Sequence, residues 1–129
     1  MPGAPGSAEF VAAELERFCE REVGAMAIAT AASLFYNTPV ASGYARSNWA
    51  PTIGAPDFSE TGSKQAPSES RFNAGLAAFR TYRFKQGNLN ITNNVPYIGR
   101  LSRGWSAQAP SGWIERIIAR SGVFTGGVG

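Results

Sequence analysis

Nucleophilic catalysis needs a nucleophile with a base beside it. This chain carries one cysteine, Cys19, and no histidine. A Cys–His pair is therefore excluded, and with it the commonest zinc ligand and neutral-pH base. Cys19 falls inside a long helical pattern, on or near its apolar face, where it reads as a core residue. The serines form no G-x-S-x-G elbow, and neither Lys64 nor Lys85 sits in a recognisable Ser–Lys motif. Asp57 and Glu60 share a loop-like stretch, while Glu69 and Glu115 begin helical stretches, where a carboxylate suits the positive end of the helix dipole. No close set of Cys and acidic residues suits a metal. Gly126-Gly127 has no following helix to make it a phosphate loop. The reading is a non-enzymatic protein with no catalytic residues, no metal and no cofactor.

What remains is aromatic and basic. Tyr97, Trp105 and Trp113 are interleaved with Arg100, Arg103 and Arg116. Aromatic rings among arginines can stack on single-stranded nucleic acid. They can equally form the centre of a protein interface, where Trp, Tyr and Arg are favoured anchors. Or they can be ordinary core. The residue pattern leaves these three uses open.

The elements that must position these groups follow from periodicity. Met1 to Ser7 is rich in proline and glycine, so residues 1–8 read as a loose arm, with Ser7 able to cap a helix. Val11, Leu15, Phe18, Cys19, Val23, Met26, Ala27, Thr30 and Leu34 then recur at steps of three and four. This predicts one helix to about Tyr36, roughly 40 Å long. Glu14, Arg17, Glu20 and Arg21 fall largely on its other faces. The small residues of its second half, Gly24 to Ser33, allow close approach of another backbone or dense packing on the protein's own sheet. Asn37-Thr38-Pro39 ends the helix, because the residue before proline is pushed out of the α region. Tyr44 to Ile53 reads as extended, anchored by Trp49 and Ile53. Residues 54–68 form a long loop rich in proline, glycine and serine; loops of this length are usually functional or disordered, and an assembly protein can use one as an arm that orders against a neighbour. Ser68 is placed to cap a second helix with Phe72, Leu76 and Phe79 on one face, ending by Gly87. Leu89 and Ile91 alternate with polar residues as a half-buried strand, closed by Asn93-Asn94. Tyr97 to Trp105 fits either a bulged strand or a short helical turn. Ser111 can cap a last helix bearing Trp113, Ile114, Ile117 and Ile118, and residues 122–129 read as a glycine-rich tail.

The whole is one domain of 129 residues, long enough to bury its own core. Charged residues are only 16%, against about 25% in an ordinary domain. Such a surface hints at assembly. Ten arginines and two lysines against nine acids give +3 without a basic cluster, which does not suit a dedicated nucleic-acid reader. There is no apolar run of about 20 residues to span a membrane. The first residues lack a signal-peptide pattern, so a reducing cytoplasm is the expected place of synthesis.

Two segments resemble a known family. The first runs Thr38-Pro39-Val40-Ala41-Ser42-Gly43-Tyr44-Ala45-Arg46-Ser47-Asn48-Trp49. The second runs Ile91-Thr92-Asn93-Asn94-Val95-Pro96-Tyr97-Ile98, followed by Leu101, Gly104-Trp105-Ser106 and Gln108-Ala109-Pro110-Ser111-Gly112. Together they resemble the tail-completion and neck proteins of long-tailed bacteriophages, a group that includes minor tail components. The chain departs at Ala41-Ser42, where that family commonly has Asp-Thr. The resemblance implies an α+β fold, with a long N-terminal helix packed on a small mainly antiparallel sheet and one or two further short helices. It implies a structural virion protein made in the host cytoplasm. Such a protein forms a ring, commonly of six copies, at the head–tail junction or upper tail end. Its partners would be further copies of itself, neighbouring neck proteins on the connector side, and the tail tube or sheath. Contact with DNA in the channel would be sequence-blind, and no membrane is involved. The residues put forward for assembly are Arg46, Trp49, Tyr97, Arg100, Arg103, Trp105, Gln108 and Trp113. The alternative reading is a small nonspecific nucleic-acid-binding protein.

Overall fold

The computed structural model describes residues 8–39, 43–99, 103 and 112–121. The predicted caps Ser7 and Ser111, the tail at 122–129 and all but the last residue of the arm lie outside this set. The long helix forms as its periodicity predicts, as α1, Ala8–Asn37. It stops where Pro39 forbids another turn. Thr38 closes the end, its hydroxyl donating to the Leu34 carbonyl at 2.6 Å.

The next segment departs from expectation. Tyr44–Ser47 is not extended but forms a single helical turn, α2. Gly43 enters it at φ 72°, a left-handed conformation that suits glycine. The Ser47 hydroxyl and the Asn48 amide both donate to the Tyr44 carbonyl, at 3.1 and 2.9 Å. Such local side-chain bonds offer the backbone an alternative to a strand. Only Ala50–Ile53 becomes strand β1. After the long loop come α3 (Ser70–Arg80), a 3-10 turn (Phe84–Gln86), β2 (Leu89–Thr92) and α4 (Trp113–Ser121). Helix α3 starts after Glu69, not Ser68, and its N-cap makes no side-chain bond. Around Tyr97 the chain turns and is helical at 98–99; except for Arg103, the rest of the Tyr97–Trp105 segment lies outside the described residues.

The two strands pair antiparallel, with Ala50 opposite Thr92 and Ile53 opposite Leu89. Gly54 N–H donates to the Asn88 carbonyl at 2.8 Å, so every second pair inward from it is hydrogen-bonded. Pro51, opposite Ile91, falls in an unbonded pair, where its missing N–H costs the ladder nothing.

The architecture is α+β: among the described residues it comprises one long helix, a two-stranded antiparallel sheet and a few short helices. Helix α3 packs on β1, and α1 packs on α3 and α4. Two glycines set the spacing. A Cβ on Gly24 of α1 would lie 2.6 Å from the Phe79 carbonyl oxygen of α3, and one on Gly75 of α3 would collide with Pro51 of β1. The core gathers Ala31, Leu34, Phe35, Trp49, Phe72 and Trp113, with Ile91 of β2 packed against it. Phe35 and Phe72 stack with ring centres 4.4 Å apart. The small-residue half of α1 thus lies against its own chain's helices.

The buried face of α1 differs from the predicted stripe. Ala27, Thr30 and Leu34 are buried, but Val11, Leu15, Phe18, Val23 and Met26 are exposed, and so is Cys19. Residues 8–19 extend past the body, with no residue among them buried. Glu20, expected on an outer face, is the first buried residue, at 2% exposure.

Candidate interaction surface

The two segments carrying the family resemblance lie far apart in sequence and meet in space. Trp49 donates its indole N–H to the Thr38 hydroxyl at 2.8 Å, so both ends of the first segment close on each other. Arg46 donates to the Tyr36 and Thr38 carbonyls, each at 3.2 Å, and lies over the Phe35 ring at 5.4 Å. Helix α1 has no basic residue in its own last turn. Arg46 supplies the missing positive charge and satisfies carbonyls that the helix leaves unpaired. Asn93, from the second segment, donates to the Ala45 carbonyl at 2.8 Å and accepts from Val95 N–H at 3.1 Å.

The same joint holds the long loop. Asn48, wholly buried, donates to Thr61 O at 3.1 Å and accepts from Thr61 N–H at 2.8 Å. Arg71 donates to Asn48, to Ser59 and to the Asp57 carboxylate, and Thr92 donates its hydroxyl to the Asp57 carbonyl. The two Ser59 hydrogen bonds, then Arg71 against the cost of desolvation, hold the Asp57 carboxyl below its ordinary pKa. Tyr44 donates to Glu60 at 2.6 Å, a bond that raises the phenol's pKa. The loop is ordered on its own domain.

The eight assembly residues are accordingly scattered in role. Trp49 and Trp113 are core, at 5% and 4% exposure. Arg46 is committed to the end of α1. Tyr97 is half-buried, with the Lys64 ammonium 5.5 Å from its ring centre. Arg103 is exposed. Arg100, Trp105 and Gln108 lie outside the described residues.

Exposure selects a different surface. Val11, Leu15 and Phe18 are 54%, 58% and 54% exposed, and Phe10 beside them 50%. Steps of three and four continue this row through Glu22 and Met26 to Ala29 and Ser33, so it is one line along α1. The far end of that line walls an open groove of about 590 Å³ between α1 and α4. Its other lining includes Trp113 and Ile117, with Arg116 and Arg120 contributed by α4. Exposed apolar residues grouped on one face are the kind of surface that interaction sites use. Its periodicity was legible in the sequence. Its exposure was not, because the same spacing describes a core face.

Glu20 is the polar residue that sequence reasoning missed. It accepts from Phe84 N–H at 2.7 Å, from Arg83 at 3.0 Å and from Arg17 at 3.1 Å. Burial pushes its carboxyl up, but these three hydrogen bonds and the Arg83 charge outweigh that and hold it below its ordinary value. It ties α1 to the 3-10 turn at the point where the helix leaves the body. Nothing local in the sequence signals a partner more than sixty positions away.

Among the described residues no helix is long and apolar enough to cross a membrane, and no group of three His, Cys, Asp or Glu is placed to hold a metal. No family model matches the chain, and neither curated proteins nor solved structures gave a match.

Proposed function

We propose that this protein is a structural virion component of a long-tailed bacteriophage. It forms a ring of about six copies at the head–tail junction or upper tail end, completing the tail and joining it to the head around the DNA channel. The observation that carries this reading is the joint described above. The two segments that resemble tail-completion and neck proteins build one connected unit through Asn93, Ala45, Trp49 and Thr38. The exposed apolar line along α1 adds support, since a chain that assembles must leave such a surface uncovered until its partner arrives.

The test is electron microscopy of lysates from a phage carrying an early stop codon in this gene. Full heads beside free tails of normal length identify a joining protein, and overlong tails identify a terminator. Normal tailed, infectious particles overturn the proposal.

A further inference from the structure

The projecting half of α1 and the α1–α4 groove are different patches of one molecule that suit each other. We propose that residues 8–19 of one copy seat in the groove of the next copy, a contact that rests on the self-assembly reading above. The Val11, Leu15 and Phe18 side chains would lie on the Trp113 and Ile117 floor, and Glu14 and Glu22 would face Arg116 and Arg120.

Three observations carry this. The lengths agree: residues 8–19 and the stretch of α1 that the groove follows, Met26 to Asn37, each span about 18 Å of helix. The surfaces agree, an exposed apolar row meeting an open groove with an apolar floor. The charges agree as well. Segment 8–19 holds Glu9, Glu14 and Glu16 against Arg17, a net of −2. Glu14 lies beside the apolar row one turn before Phe18, and Glu22 continues the row one turn after it. The groove presents two exposed arginines. The two-fold alternative, row against row, would bring together two segments of the same net negative charge and leave Arg116 and Arg120 outside the contact. Like charges so placed disfavour that pairing.

The contact is heterologous, with a donor patch and an acceptor patch on every copy. Each docked copy therefore still offers a groove, and the chain of contacts runs on until it closes into a ring. Helix-in-groove docking of this kind is read as anchors at i, i+4 and i+7, the spacing of Val11, Leu15 and Phe18.

Cys19, the chain's only cysteine and exposed one residue beyond Phe18, provides the probe. Full-length Ser33→Cys and Ala29→Cys variants each carry a second thiol on the groove wall, one turn apart, covering either helix direction. Oxidation at high protein concentration is expected to give a ladder of dimers, trimers and larger species with at least one of them. Cys19–Cys19 dimers alone, or monomers alone from both variants, would overturn the proposal. Sedimentation of the charge variants is the second measurement. Arg116→Glu with Arg120→Glu should weaken self-association at least tenfold, and adding Glu14→Arg with Glu22→Arg should restore it. Equal association in all three proteins also overturns it. The two readings fail separately. A ladder from a protein whose loss leaves virions normal removes the junction role and keeps the docking. A junction phenotype without a ladder does the reverse.

Discussion

The two halves of α1 share one continuous helix and have opposite fates. From Gly24 onward the helix buries Ala27, Thr30, Ala31, Leu34 and Phe35. Before Glu20 it buries nothing, although that is where Phe10, Val11, Leu15 and Phe18 sit. Leucine and phenylalanine occur in both halves, exposed in the first and buried in the second. The reason is distance. Where α1 comes closest to α3, only glycine fits against the Phe79 carbonyl, and further along the helix Phe35 meets Phe72 of α3. Among the described residues, no element covers the large side chains of the first half. Apolar content therefore does not identify the core of this helix; the presence of a second surface does.

The comparison can be broken by matched truncations. Leu34→Ala, in the core half, should cost about 2–5 kcal/mol in urea unfolding. Leu15→Ala, in the projecting half, should stay within about 0.5 kcal/mol. Similar losses for both would mean that the first half is packed in the monomer. Gly24→Ala comes next. Its methyl meets backbone, which cannot swing aside, so a loss of about 1–3 kcal/mol is expected. A neutral result would show that the α1–α3 seam is looser than drawn. Trp49→Phe should cost about 1–3 kcal/mol in the same measurement, because the smaller phenyl ring lacks the donor to Thr38 and leaves part of the indole's volume empty.

Glu20 sharpens the boundary between the halves. Its folded-state pKa lies below the ordinary 4.5. Its contribution is therefore fully present above about pH 4.5 and is lost as pH falls through the lower, folded-state value. Thermal melts should show a stability drop across that acid window that is smaller in Glu20→Gln. An unchanged acid limb would assign the drop to other carboxylates, Asp57 first among them. The smallest effect concerns nucleic acid. Arg103→Ala should leave the salt dependence of DNA retention nearly unchanged, whereas a slope reduced by about one would revive the nucleic-acid reading.

Element identity was largely legible. The step-three-and-four rows announced α1, α3 and α4, and alternation at Leu89 to Thr92 announced β2. The segment from Tyr44 to Ser47 was misread because its decisive interactions are side chain to backbone, from Ser47 and Asn48 to Tyr44, and leave no periodic trace. The candidate surface was half legible. Its row of residues can be written down from the sequence, but spacing does not say whether that row faces the core or the solvent, and Cys19 beside it reads as core yet is exposed.

By itself the sequence determined the helix ends that proline enforces, the apolar rows, the absence of a Cys–His pair, and the two segments that carry the family resemblance. All of these depend on residues near one another or on residue type alone. Only the tertiary structure decided which row is buried, that Arg46 serves the end of α1, that Glu20 holds Arg83 and Phe84, and that Arg71 and Asn48 fasten the long loop. Each of those depends on what a distant part of the chain places opposite a side chain. Spacing along the chain carries no record of that.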